Sequence, residues 1–303
     1  MIKATVIIVT YNASKWIEKC FGSLQQSTIP VNVIAIDNGS TDGTPDIIRS
    51  KFPTLEVIEN NENLGFGKAN NIGIRKAYDA SADYVFLLNQ DAWVEKDTIE
   101  ILVKTAEDNP DYGIISPVHL NGSGTNLDYG FLNYINRNQD KSFIFDILVK
   151  KSLGLNQIYS LDFINAAFWL LPRKTIETVG GFNPFFFQYG EDRDYVNRCH
   201  YYNLKIGFAP EAFAYHDRQQ FDSESKKNLL KRNETLLSLF NPTNDNRIGN
   251  LISEMRKNRY KKLLKGEFKL YKSIKKDLHY FKTNESRIEG ICNELKLPGL
   301  SFI

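Results

Sequence analysis

Cysteine is scarce in this chain. Cys20, Cys199 and Cys292 are the only three in 303 residues, too few and too far apart for a disulfide framework or a paired-cysteine metal site. Long hydrophobic runs are missing too. The longest, such as Val6 to Val9 and Tyr84 to Leu88, fall far short of the roughly 20 residues that a membrane-spanning helix requires. The start, Met-Ile-Lys-Ala-Thr, leads straight into a strand pattern, with no apolar stretch and small-residue cleavage site of a secretory signal, so the expected compartment is the reducing cytoplasm. Internal repeats and low-complexity tracts are absent. So are the GxGxxG turn of dinucleotide folds and the GxxxxGK[ST] phosphate loop.

What is present is ordinary globular material. Apolar residues make up 42% and charged residues 24%, which excludes wholesale disorder and collagen-like structure and suffices for a full core. The net charge of +2 conceals an asymmetry. From Lys226 onward 18 basic residues face 8 acidic ones, a balance of +10, so everything before carries −8. We therefore expect an acidic domain over 1–220 and a basic helical extension over 221–303.

The first part alternates short apolar runs with helical periodicity. Strands are expected at Ala4–Thr10, Val31–Ile36, Leu55–Glu59 and Tyr84–Leu88. Helices are expected near Trp16–Leu24, Thr44–Lys51, Gly67–Ala80 and Asp97–Asp108. Continuous β-branched strands between helices predict an α/β fold with a mostly parallel sheet covered on both faces. From Asn121 to Ser160 the pattern weakens to loops and one short helix, Phe143–Lys150. Phe163–Leu171 is apolar, Glu191–Asn203 suits a helix and Lys205–Ala209 a strand. Beyond Arg218 the chain reads as helices broken near Asn241-Pro242 and Gly266.

Four strand ends carry polar or glycine-rich clusters: Thr10-Tyr11-Asn12, Asp37-Asn38-Gly39-Ser40, Asn63 to Asn71, and Asn89-Gln90-Asp91. Each alone suits a turn. Four at the carboxyl ends of neighbouring strands suit a ligand site. Asp37 can accept hydrogen bonds from a base or ribose. Gly65 and Gly67 let backbone approach a phosphate ahead of a helix N-terminus, with Lys68 adding a cation. Asp91 can hold a divalent ion. A second constellation runs from Gly180 through Phe185, Phe186, Phe187, Gln188 and Tyr189 into Glu191, Asp192 and Asp194. Acidic residues there offset a helix dipole. The aromatic approach suits a sugar platform, and the carboxylates can bind or deprotonate hydroxyls.

Five segments in order, VIIVTYN from Val6, VIAIDNGSTDGT from Val33, NLGFGKANNIGI from Asn63, DYVFLLNQDAW from Asp83 and the stretch Gly180–Pro210, resemble glycosyltransferase family 2, especially its rhamnosyltransferase-like branch. The resemblance implies the type A glycosyltransferase fold and an inverting transfer from a nucleotide diphosphate-sugar. It implies Thr10, Tyr11 and Asn12 at the nucleoside, Asp37 at the base and Asn38 at the ribose. It puts Gly65, Lys68 and Asn70 near the diphosphate and Asn89 and Gln90 beside the donor. Asp91 matches the last residue of the family's metal motif, for Mg²⁺ or Mn²⁺, with His216 nearby; Asn89 replaces that motif's first carboxylate. Asp192 matches the catalytic base. Asn165, Tyr189 and Glu191 are expected at the acceptor, and Trp169 in the core.

The tail carries a helical stripe, Phe268, Tyr271, Ile274, Leu278 and Phe281, among lysines. Packing on its own domain is the leading reading. Peripheral contact with an anionic membrane and homodimerisation are the others. No nucleic-acid partner is expected. The sequence thus points to a hexosyltransferase using a UDP- or dTDP-sugar on a glycan or lipid-linked glycan, in bacterial surface-polysaccharide synthesis at the inner face of the cell membrane. The alternatives are a non-catalytic nucleotide-sugar binder or scaffold, and a sugar-phosphate nucleotidyltransferase.

Overall fold

A computed structural model describes residues 2–137, 158–218, 224–244 and 247–303. Its strands are β1 (Ala4–Thr10), β2 (Val31–Asp37), β3 (Glu56–Glu59), β4 (Tyr84–Asn89), β5 (Ala92–Val94), β6 (Tyr112–Asn121), β7 (Tyr159–Ser160), β8 (Phe168–Pro172) and β9 (Lys205–His216). They form one sheet in the order β3-β2-β1-β4-β8-β6-β9-β5, with β7 beside β9. Strands β1, β2, β3, β4, β6 and β9 run one way; β5, β7 and β8 run against them. The helices of the sheet domain are α1 (Ile17–Gln25), α2 (Thr44–Lys51), α3 (Phe66–Asp79), α4 (Thr98–Asp108), α5 (Tyr129–Arg137), α6 (Arg173–Val179) and α7 (Glu191–Tyr201).

The two-sided apolar runs explain the layers. Ile7, Ile34, Ile36, Val85 and Leu87 point to one face and pack beneath α3, α6 and α7. Their neighbours Val6, Ile8, Val33, Ala35, Phe86 and Leu88 point to the other, under α1, α2 and α4. A strand buried on both faces needs this continuous apolar sequence. Register then aligns the carboxyl ends: Thr10 lies beside Asp37, Asp37 beside Glu59, and Val9 beside Asn89. Because β8 runs backwards, with Phe168 opposite Leu88, the residues before it reach the same edge, and Asn89 donates its N–H to Ala167 O at 3.1 Å. His216, ending β9, lies opposite Ala92.

The chain then forms α8 (Glu224–Phe240), α9 (Ile248–Leu264), α10 (Phe268–Thr283) and α11 (Glu285–Glu294). These share a third core, including Leu236, Phe240, Ile252, Leu278, Phe281 and Ile288, into which Phe186 of the aromatic loop inserts. Of the predicted stripe only Leu278 and Phe281 are buried; Phe268 is 61% exposed.

Most elements fall where periodicity puts them, and several do not. The weak stretch after Asn121 contains α5, started by Asp128, whose Oδ1 accepts from Phe131 N at 3.1 Å. Its apolar pair, Phe131 and Ile135, is hidden in sequence by Gly, Asn and Tyr. The expected helix Phe143–Lys150 lies outside the described residues. Strand β9 runs for 12 residues, more than twice the Lys205–Ala209 expectation, continuing past Pro210 through a register shift against β6 that absorbs the proline. Strands β5 and β6 had no clear signal of their own. The tail breaks a third time, at Asn284.

One buried ion pair fixes α7. Arg198 is fully buried, and its Nε donates to Asp194 Oδ2 at 2.9 Å. Its other nitrogens donate to Val179 O at 2.5 Å and Gly181 O at 2.8 Å. Burial raises the Asp194 carboxyl from its ordinary value, against the pull of Arg198. Removing one partner strands the other charge in the core. Arg198→Ala is therefore expected to cost about 3–5 kcal/mol of stability, read as a lower urea midpoint at unchanged slope. A loss below about 1 kcal/mol, the range of an exposed pair, would contradict this role.

Candidate active site

At the carboxyl edge of the sheet the loops are held by their own side chains. Asp37 accepts from Thr10 Oγ1 at 2.8 Å, Ser40 Oγ at 2.6 Å, Ser40 N at 2.8 Å and Gly39 N at 3.2 Å. Four donors use about all the acceptor sites a carboxylate has. Asn12, at φ 51°, accepts from Thr41 N at 2.9 Å, while its own N–H donates to Ser40 Oγ at 2.9 Å. Asn38 reaches the next loop: its Nδ2 donates to Gly65 O at 3.2 Å, and its Oδ1 accepts from Leu64 N at 3.3 Å. Gln90 clasps the backbone of Tyr11 from both sides, accepting its N–H at 2.7 Å and donating to its carbonyl at 3.3 Å.

Two cavities open at this edge. The first, about 280 Å³, is lined by Tyr11, Asn38, Gly65, Asn89, Gln90 and Asp91, with Val9, Asn63, Phe66, Phe187 and Gln188. The second, about 320 Å³, is lined by Asn165, Tyr189, Glu191, Asp192, His216 and Arg218 among others. Phe66, Asn89, Asp91 and Gln188 line both, so the two share a wall. Five of the residues expected at the donor thus line the first cavity, and the three expected at the acceptor line the second together with Asp192. Thr10, Asn12 and Asp37 stand behind the first cavity as loop supports. Asn70 is buried and donates back to Phe66 O at 3.0 Å, and half-buried Lys68 lines neither cavity.

Gly65 joins the two halves. At φ 82° it takes a left-handed conformation, and a Cβ there would lie 2.0 Å from the carbonyl oxygen of Phe187. Six residues on, Asn71 holds the peptide of Phe182 on both sides, accepting its N–H at 2.7 Å and donating to its carbonyl at 2.8 Å. The aromatic loop that follows ends in two consecutive left-handed residues, Tyr189 at φ 63° and Gly190 at φ 104°. A tyrosine there is strained backbone of the kind that gathers at functional sites. Asn233 of α8 restrains it, donating to Gln188 O at 3.0 Å and to Tyr189 O.

The three carboxylates opening α7 have separate fates. Asp194 turns into the core toward Arg198. Glu191 is buried, and its Oε2 has no hydrogen-bond partner. Burial, then the adjacent charge of Asp192, pushes its carboxyl up to about 8. Asp192 is half-buried at the cavity wall, and burial raises it too, although Arg193 N donates to its Oδ1 at 2.7 Å. Burial and mutual repulsion therefore raise both carboxyls, and the two titrate as a pair.

His216, on the second cavity, reaches Asp91 of the shared wall: its Nε2 lies 3.3 Å from Asp91 Oδ1. His216 is nearly buried, and its Nδ1 has no partner. Among the described residues no cluster of three or more His, Cys, Asp or Glu could hold a metal. A carboxylate and an imidazole converging beside a cavity fit a cation that takes its remaining ligands from diphosphate oxygens and water. Phe66, Phe187 and Gln188 stood inside the clusters read from the sequence without a ligand role of their own, and Arg218 was not foreseen. Arg218 carried no signal, since its partner Asp128, at 3.4 Å, is 90 positions away.

Comparison with known proteins identifies the family of this chain. The model of glycosyl transferase family 2 matches residues 5–179, more than half of the chain. The putative glycosyltransferase EpsH of Bacillus subtilis is 24% identical over 78% of this chain and 66% of its own length. The N-acetylglucosaminyl-diphospho-decaprenol L-rhamnosyltransferase of Mycobacterium tuberculosis is 33% identical over 40% of this chain and 42% of its own length. This chain thus spans just under two thirds of the first relative and less than half of the second. Among solved structures, TarS 1–349 of S. aureus with UDP-GlcNAc aligns with TM-score 0.54 at 16% identity, over 78% of this chain and 67% of that one. GalNAc-T7 with UDP, GalNAc and Mn²⁺ aligns with TM-score 0.56 at 14% identity, over 79% and 48%. The chain belongs to glycosyl transferase family 2 and shares the sheet-and-helix fold of these solved glycosyltransferases.

Proposed function

We propose that this protein transfers a sugar from a UDP- or dTDP-linked donor to a hydroxyl of a glycan or lipid-linked glycan, with inversion at the anomeric carbon. We place it in bacterial surface-polysaccharide synthesis at the cytoplasmic face of the membrane, with the chemistry in residues 1–220. The observation that carries this reading is the pair of adjoining cavities. One is built on strand ends, the other carries Asp192, and Asp91 lies on the wall between them.

In this reading the nucleotide lies in the first cavity, with half-exposed Tyr11 against the base and Asn38 near the ribose. Thr10, Asn12 and Asp37 keep those loops in place, and Asn89 and Gln90 border the diphosphate. Lys68 and Asn70 sit on the first turns of α3, whose N-terminus favours negative charge. A divalent cation, Mg²⁺ or Mn²⁺, would be held by Asp91 and His216 and would neutralise the departing diphosphate. The acceptor enters the second cavity past Tyr189 and Asn165, whose Oδ1 is buried without a partner and can accept a hydrogen bond from a hydroxyl. Asp192 accepts the proton of the attacking hydroxyl. That oxygen bonds to the anomeric carbon as the carbon–diphosphate bond breaks, and the electron pair leaves with the nucleotide. A single base opposite the leaving group produces inversion. Protonated Glu191 beside Asp192 can donate a hydrogen bond to the acceptor and adds no second negative charge.

Asp192→Asn tests the base. It keeps the shape of the side chain and removes its basicity. It is expected to lower kcat by roughly 10²–10⁴-fold while leaving donor affinity within about twofold, measured by product formation and by calorimetric titration of the donor. Transfer at the wild-type rate would remove Asp192 from this role.

The pH profile tests the shared proton. Asp192 works ionised, and its value is raised, so activity is lost as pH falls through a point above the ordinary aspartate value of about 4. Glu191 stays neutral until about pH 8 and ionises above it. A kcat/KM profile of the wild type should thus show an acid limb and a second inflection near 8. Glu191→Gln, which mimics the protonated acid, should keep the acid limb and lose the second inflection. Persistence of that inflection in Glu191→Gln would assign it to another group.

A further inference from the structure

The large exposed apolar side chains of this protein are not scattered evenly. Tyr260, Leu263, Leu264, Phe268 and Leu270 fall within eleven residues, and Leu264 is 87% exposed. They surround the turn between α9 and α10, where Gly266 at φ 71° reverses the chain. The base of this helical hairpin is buried through Ile252, Leu278 and Phe281, while its tip buries none of these five. The same tip is basic. Residues 256–276 hold ten Lys or Arg and a single acid, Glu267, which is neutralised by Lys262 at 2.8 Å. Lys261, Lys265, Lys269 and Lys272 are all exposed around the apolar residues.

Soluble proteins rarely leave large apolar side chains clustered in the open without a partner. Here the surrounding charge identifies that partner. A second copy of the same tip would bring ten cations against ten. An anionic bilayer instead satisfies both features: lysines reach the headgroups while Leu and Phe enter the acyl boundary. No described helix is long and apolar enough to cross a membrane, which matches an element lying on the surface. We propose that the tip of the α9–α10 hairpin docks this protein on an anionic lipid bilayer, with Leu263, Leu264 and Phe268 as its apolar anchors. The observation is independent of the sugar chemistry. It also explains a wiring feature, because α8 of the same helical unit holds the carbonyls of Gln188 and Tyr189 at the second cavity.

The test is sedimentation of the full chain with sucrose-loaded vesicles of phosphatidylcholine alone or mixed with phosphatidylglycerol. Binding is expected only to the mixed vesicles and should weaken as salt rises. The double variant Leu264→Glu/Phe268→Glu changes only exposed side chains, so its melting temperature should not move. Its vesicle affinity should fall at least about tenfold. A separate variant, Lys265→Gln/Lys269→Gln/Lys272→Gln, should weaken binding to the mixed vesicles by a similar factor. Equal binding to both vesicle types, no binding, or unchanged binding by the Glu variant would overturn the proposal. So would a light-scattering shift from dimer to monomer in the Glu variant with vesicle binding intact, which would make the tip a contact between copies.

Discussion

The site depends on two stretches of backbone touching. Gly65 lies so close to the carbonyl of Phe187 that no side chain fits between them. Gly65 lines the first cavity, and the loop containing Phe187 runs on to Tyr189, Glu191 and Asp192 of the second. Asn71 reinforces the junction by holding the peptide of Phe182. The sheet supplies the other half of this constraint. Reversal of β8 brings Asn165 to the edge where the parallel strands end.

Three carboxylates in four residues at the start of α7 would repel one another if all were ionised in the same environment. The fold separates them by burial and partner. Asp194 takes a guanidinium in the core. Glu191 keeps its proton because it is buried next to a charge. Asp192 remains at the cavity wall. Burial raises both of these neighbouring carboxyls, which puts a coupled acid pair at the cavity. The helix N-terminus tolerates this much acidity, and from its last turn Arg198 anchors α7 to the loop at Val179 and Gly181.

Much of this was legible in the sequence, for identifiable reasons. Two-sided burial forces continuous β-branched runs, so β1, β2 and β4 were plain, and the polar clusters after them marked the working edge. The Asp192 side of the site was visible because aromatic residues run into acids. The elements that stayed hidden obey long-range rules. β6 is defined by pairing with β8 and β9, and α5 by an aspartate cap and two apolar core residues. Residue roles were harder to read than positions. Asp37 and Asn70 look like ligand contacts in a motif, yet their side chains are engaged by protein. Asn71, which carries the junction, looks no different from Asn70 beside it. Arg218 joins the second cavity through a fold contact that no local pattern encodes.

The central claim is that the strand-edge cavity takes the nucleoside diphosphate of a sugar donor, with Asp91 on its wall. Calorimetric titration of UDP and dTDP into the full chain, with Mn²⁺ and then with EDTA, tests it most directly. The account predicts saturable binding of at least one of the two in Mn²⁺, weakened about tenfold or more by chelation and by Asp91→Asn. Failure of both nucleotides to bind in Mn²⁺, with the protein folded, would contradict it.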